Sequence, residues 1–214
     1  NLLIQNNLIN NFNFFNVSKF IFLGSSCIYP KFSKQPIKES YLLTDSLEPT
    51  NQWYAIAKIA GVKLIESLRN QYNKNYVSLM PTNLYGPNDN FDLKTSHVIP
   101  AIIRKIIDAK NNKKPFVELW GDGSPKREFL YVDDLGNAIM FFLEKQDYSY
   151  DIFNIGTGHD ISINDLSKLI IKHVNYDGYI KWDYTKPNGT PRKLLNIERT
   201  KKEGWIYNTE LEDG

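Results

Sequence analysis

Apolar residues at Ile4, Leu8, Phe12 and Phe15 recur at helical spacing and predict a helix over residues 1–16, with its stripe mainly in the core. The pattern then shifts to a short continuous run, Lys19-Phe-Ile-Phe-Leu23, whose length and character suit a buried parallel strand. A Pro-containing loop from Ile28 to Asn51 is long enough to be functional. Helical periodicity returns from about Trp53 to Tyr72, again with a core-facing stripe. Tyr76–Met80 reads as the next buried strand, ending at Pro81-Thr-Asn-Leu84 and a turn at Tyr85-Gly86-Pro87. A helix begins near His97, where Pro100 is tolerable only in the first turn. Phe116–Trp120 reads as a strand, Gly121–Pro125 as a turn cluster and Glu128–Val132 as strand-like. Asp133 and Asp134 then suit the N-terminal dipole of a helix to about Lys145. Phe153–Gly156 is a short strand, Ser162 caps a helix to about Val174, and Tyr179–Asp183 is a last strand. Strands alternating with helices predict an α/β architecture.

Composition narrows the class. The 214 residues can bury a real core, with 42% hydrophobic and 23% charged positions. A formal charge of +2, its lysines scattered, gives no stripe for nucleic acid. Cys27 is the only cysteine, so no internal disulfide forms, and a reducing, cytoplasmic setting is expected. Asn residues interrupt the apolar N-terminal stretch, which reads as neither a membrane span nor a signal peptide, and no membrane partner is expected. No metal is called for.

Chemistry concentrates in two segments, Gly24-Ser25-Ser26-Cys27 and Tyr54-Ala-Ile-Ala-Lys58. The first closes a strand, at the end where open α/β sheets bind ligands. The second opens a helix, so Tyr54 and Lys58, at i and i+4, share a face. A phenol beside an ammonium, facing a serine hydroxyl, is equipment for moving a proton to or from a carbonyl oxygen. Tyr-x-x-x-Lys alone is weak, because 13 Tyr and 21 Lys give roughly one chance match. Longer stretches carry more: Leu23-Gly-Ser-Ser-Cys-Ile-Tyr-Pro30, Tyr54-Ala-Ile-Ala-Lys-Ile-Ala-Gly61, Met80-Pro-Thr-Asn-Leu-Tyr-Gly-Pro87, Ser96-His-Val-Ile-Pro100, Arg127-Glu-Phe129 and Lys186-Pro-Asn-Gly-Thr-Pro-Arg-Lys193.

On these segments the chain resembles the GDP-L-fucose synthase family of the extended short-chain dehydrogenase/reductase superfamily, over essentially its whole length. The resemblance implies a Rossmann-type doubly wound parallel sheet, here its C-terminal part, and a smaller α/β substrate domain. Residues 1–95 and 131–156 would form the former, residues 96–130 and 157–214 the latter. It implies 3,5-epimerisation of GDP-4-keto-6-deoxy-D-mannose followed by NADPH-dependent reduction at C4. Tyr54 and Ser25 would stabilise the enolate oxygen, Cys27 would act as base and His97 as acid. Tyr54 would then protonate the C4 oxygen, its pKa lowered by Lys58, which would also hold the nicotinamide ribose. Leu23, Gly24, Ser25, Ser26, Pro81, Thr82, Asn83 and Leu84, with Tyr54, Lys58 and His97, would line the cofactor. Lys105, Trp120, Arg127, Asn188 and Lys193 would face the GDP-sugar, though Trp120 reads equally well as core. His159 and His173 have no expected chemical role. Paired helices in this superfamily also imply a homodimer.

Two positions depart from the family pattern. Lys105 stands where arginine is usual and loses the bidentate fork. Asn188 stands where Lys-Pro-Asp-Gly is usual and loses a negative charge. Gly156-Thr-Gly158 is not the dinucleotide fingerprint, because the third glycine of G-x-G-x-x-G would fall at Ile161. The expected reading is therefore a chain beginning roughly 80 residues into its family's pattern, two to three βα units at ~30 each. On that reading the Phe20–Leu23 strand has an open, sticky edge and the chain alone binds NADPH poorly. Rival readings are a 4,6-dehydratase or 4-epimerase of the same fold, against which Cys27 argues, and an inactive remnant or binding module.

Overall fold

The computed structural model describes residues 1–214. Helix α1 (Leu2–Phe14) precedes β1 (Lys19–Leu23), and α2 (Gln52–Tyr72) precedes β2 (Asn75–Pro81) and the short β3 (Asn83–Tyr85). Helix α3 (Val98–Asn111), β4 (Phe116–Trp120), β5 (Lys126–Arg127), β6 (Phe129–Tyr131) and α4 (Val132–Glu144) follow. The chain ends with β7 (Ile152–Ile155), β8 (Ile161–Ser162), α5 (Ile163–Val174), β9 (Tyr179–Asp183), β10 (Arg192–Lys193) and α6 (Glu198–Glu203). The predicted strands at 19–23, 116–120 and 179–183 appear with those bounds. Strands β3, β5, β8 and β10 and the six-residue helix α6 escaped the sequence reading, because elements this short have no measurable period.

The main sheet is parallel, in the order β1-β2-β7, with β1 at its edge. Buried Val77, Leu79 and Met80 of β2 and Phe153 and Ile155 of β7 carry no water-facing side, as parallel strands covered on both faces require. Smaller sheets pair β3 with β6 and β4 with β9, both parallel, while β5 lies between β10 and β8. A separate apolar cluster gathers Ile102 and Ile106 of α3, Val117 and Leu119 of β4, and Leu166 and Ile170 of α5.

Helix α1 departs from its expected packing. Gln5 and Ile9 are its buried residues, whereas Ile4, Leu8 and Phe15 lie exposed. The cause is close approach to α2: a Cβ on Gly61 would lie 2.4 Å from Phe22 Cζ and 3.0 Å from the Gln5 carboxamide carbon. That missing side chain lets Gln5 reach the Ala57 carbonyl with its amide. The apolar stripe is thereby turned outward.

The long loop after β1 is tied down by buried polar contacts. Tyr29 donates to Asn154 Oδ1 at 2.6 Å, and the Asn154 amide donates to the carbonyls of Ile37 (2.9 Å) and Asn196 (3.0 Å). Ile37 N–H donates to Leu194 O at 2.7 Å. These bonds bring the 186–196 segment alongside the Ser25–Cys27 turn, a juxtaposition on which the site depends.

Candidate active site

Beyond the carboxyl ends of β1 and β2 lies a cavity of about 800 Å³, the location expected for ligands of open parallel sheets. Leu23, Gly24, Ser25, Ser26, Cys27, Tyr54, Lys58, Pro81, Thr82, Asn83, Leu84 and His97 all line it. Every catalytic and cofactor-lining residue singled out in the sequence therefore meets in one space.

Each is positioned by local backbone chemistry. Ser25 is extended (φ −165°, ψ 147°), and its hydroxyl accepts from Cys27 N–H at 3.1 Å, starting a short 3₁₀ turn over Ser26–Ile28. Tyr54 lies in the first turn of α2 with its hydroxyl toward Ser25. Burial pushes its pKa up and the Ser25 hydroxyl opposes that shift. Lys58, one turn on, donates to Leu23 O at 2.8 Å, with its ammonium 5.1 Å from the Phe22 ring centroid and 6.0 Å from that of Tyr54. The expected lowering of the Tyr54 pKa by Lys58 is thus corrected. The ammonium is anchored on a strand carbonyl, and burial, the leading influence on Tyr54, acts the other way. Burial also lowers the pKa of Lys58 itself. His97 occupies the N-cap position of α3 with an extended backbone and an exposed ring that makes no capping bond.

The predicted substrate residues divide into two groups, neither on the wall of the large cavity. Lys193 lines an adjoining recess of about 200 Å³ together with Cys27, and its ammonium donates to Cys27 Sγ at 3.3 Å. Arg127 is its register neighbour across β5 and β10; burial lowers its pKa, with Cys27 close enough to oppose that. The other group surrounds Trp120, which is 65% exposed and so is not core. Lys105 Nζ lies 5.8 Å from its ring centroid and Lys186 Nζ 5.7 Å, a second cation that sequence reasoning passed over. Asn188 accepts from Asp122 N–H at 2.9 Å, bringing the 186–193 loop to the turn after β4.

Glu128 was also missed as an organiser. It is fully buried, and its carboxylate accepts from Thr157 N–H and Gly158 N–H at 2.7 Å each and from Leu195 N–H at 2.9 Å. Its backbone carbonyl accepts from Thr82 Oγ1 (3.2 Å) and Asn83 Nδ2 (2.8 Å). The Gly156–Gly158 turn thus spends its N–H groups on a side chain rather than on a phosphate, in keeping with its rejection as a fingerprint. A buried acid within Arg127-Glu-Phe129 was the available signal.

Residues 1–156 match the NAD dependent epimerase/dehydratase family. GDP-L-fucose synthase 1 of Arabidopsis thaliana is 52% identical over 100% of this chain and 66% of its own length. GDP-L-fucose synthase of Escherichia coli (strain K12) is 48% identical over 100% of this chain and 69% of its own. Among solved structures, MlghC, a GDP-mannoheptose C4 reductase from Campylobacter jejuni with NADP bound, superposes with a TM-score of 0.90 at 33% identity, covering 100% of this chain and 72% of that one. The chain spans about two thirds of the length of the curated relatives it matches.

Proposed function

Since the chain belongs to the NAD dependent epimerase/dehydratase family and, within it, to the GDP-L-fucose synthases, we propose that it epimerises a GDP-linked 4-keto-6-deoxy-mannose at C3 and C5 and reduces the C4 ketone to give GDP-L-fucose. The observation that carries this reading is the convergence of Cys27, His97, Ser25 and Tyr54 on one cavity. A reductase alone needs the phenol and its neighbours; the thiol and imidazole are surplus to it. They suit a base and an acid that remove and return protons beside a ketone.

In the first stage Cys27 takes a proton from the carbon next to the ketone while the Tyr54 and Ser25 hydroxyls stabilise the enolate oxygen. His97 returns a proton to the opposite face. Cys27 takes its proton as the thiolate, whose negative charge is balanced by the Lys193 ammonium that contacts the sulfur, and becomes the neutral thiol; His97 gives up its proton as the imidazolium. In the second stage Tyr54 protonates the C4 oxygen, and its burial keeps it in the protonated form that this role requires. The residues fit a nicotinamide cofactor: Leu23–Ser26 and Pro81–Leu84 form a wall at the strand ends, and the Lys58 ammonium, with one backbone carbonyl engaged, retains donors for a ribose. That cofactor, NADPH on this reading, would supply the hydride that reaches C4. The Arg127 and Lys193 cations suit the diphosphate, and exposed Trp120 offers a face to the base.

The test uses the full-length gene product with GDP-4-keto-6-deoxy-D-mannose and NADPH. NADPH oxidation together with solvent deuterium incorporation at C3 and C5 is the expected outcome. Reduction without deuterium would reassign the protein as a 4-reductase.

The same reading includes two structural proposals. One is a dinucleotide-binding domain over residues 1–95 and 131–156 with a substrate domain over 96–130 and 157–214, a division supported by the separate cluster of Ile102, Ile106, Val117, Leu119, Leu166 and Ile170. Exposed Leu3, Ile4 and Leu8 of α1, with Trp53 and Ile56 of α2, form the face for a second copy of this chain. Sedimentation is expected to give a dimer that Ile4→Glu with Leu8→Glu converts to a monomer. No helix is long and apolar enough to cross a membrane; a cytoplasmic setting belongs to the same proposal, and Cys27, the chain's one cysteine, suits a reducing compartment.

A further inference from the structure

Asn51 occupies the N-cap position of α2, where asparagine is favoured because its side chain can accept from the helix's free N–H groups. Here it makes no such bond, and its backbone (φ −123°, ψ 3°) departs from the extended shape that a capping side chain needs. The main chain is nevertheless held firmly. Asn51 N–H donates to Glu48 O at 3.0 Å, its carbonyl accepts from Ala55 N–H at 3.0 Å, and Glu48 Oε1 accepts from Thr50 N–H and Oγ1. A fixed backbone thus carries a carboxamide that the fold does not use.

Its location gives that carboxamide a task. Asn51 lines both the large cavity and the recess beside Lys193, a position shared only with Ser26 and Cys27. It stands three residues before Tyr54, across the junction from the Cys27–Lys193 contact. An uncharged group with one acceptor and two donors there matches a sugar ring hydroxyl. It recognises that hydroxyl without adding charge beside the thiol.

We propose that Asn51 is a positioning residue, resting on the reading above, whose carboxamide hydrogen-bonds a ring hydroxyl of the GDP-linked sugar and sets the carbon beside the ketone against Cys27. The test compares wild type with Asn51→Ala, Asn51→Ser and Asn51→Asp in the full-length protein. Thermal melting, binding of GDP-L-fucose by calorimetry, and deuterium incorporation into the keto-sugar are the readouts. Asn51→Ala is expected to melt with wild type, because no capping bond is lost, yet to bind the sugar nucleotide roughly three- to tenfold more weakly, the worth of one hydrogen bond. Deuterium incorporation should fall further than NADPH oxidation does. Serine and aspartate, both good caps, should not restore either property. A lower melting temperature for Asn51→Ala, with wild-type binding and restoration by serine, would make Asn51 a cap and overturn the proposal. Wild-type binding in all three variants would overturn it as well. A wild-type protein that binds GDP-L-fucose but fails to turn over the keto-sugar would instead overturn the functional reading, and the binding series would still decide Asn51.

Discussion

Tyr54→Phe is expected to slow reduction of the keto-sugar by about 10²- to 10⁴-fold, the usual worth of a positioned proton donor. Phenylalanine keeps the ring beside Lys58 and removes only the hydroxyl that faces Ser25. Deuterium exchange at C3 and C5 should fall less, because the Ser25 hydroxyl remains to stabilise the enolate. Cys27→Ser should produce the reverse pattern, losing exchange while leaving the groups that serve reduction in place. Stopped-flow NADPH oxidation and mass-spectrometric exchange, measured on the same variants, separate the two steps. Equal losses in both steps for both variants would sink the division of labour.

The pH dependence follows from the direction of the Tyr54 shift. A donor must be protonated, and burial raises the folded pKa of Tyr54 above the ordinary value of 10.0. The reduction rate should therefore hold as pH rises through neutrality, with its alkaline limb above 10.0 rather than below it. A limb near pH 8 that disappears in Tyr54→Phe would contradict the geometry.

Glu128→Leu is expected to destabilise the fold by about 3–5 kcal/mol. It strands three N–H groups, those of buried Thr157 and Leu195 and of part-buried Gly158, each costing about 1–3 kcal/mol without an acceptor. For a chain of this size that lowers the melting temperature by roughly 10 °C. Glu128→Gln should cost less, since one carbonyl oxygen can still serve Thr157 and Gly158, while its amide meets the Leu195 N–H. Leu195 lies two residues from Lys193, and Glu128 adjoins Arg127, so GDP-sugar binding should weaken along with stability. A melting curve for Glu128→Leu within a degree or two of wild type would show that the backbone finds other acceptors.

The elements legible in the sequence were those whose order is local. The run Lys19–Leu23 reads as a buried strand because a parallel sheet leaves neither face to water. The i and i+4 spacing of Tyr54 and Lys58 puts them on one helix face wherever that helix goes. Ser25, Cys27 and His97 were likewise recognisable from the short segments that hold them. Tertiary structure decided what sits opposite what. Lys193 reaches the Cys27 sulfur only because Asn154 and Ile37 tie two distant segments together. The outward turn of Ile4 and Leu8 follows from the space left at Gly61, which no helical period encodes. Glu128 acquires its role from N–H groups 29 to 67 residues away. Side-chain periodicity reports only which face of an element is apolar, whereas buried charges and polar atoms take their meaning from partners that the chain delivers after it has folded.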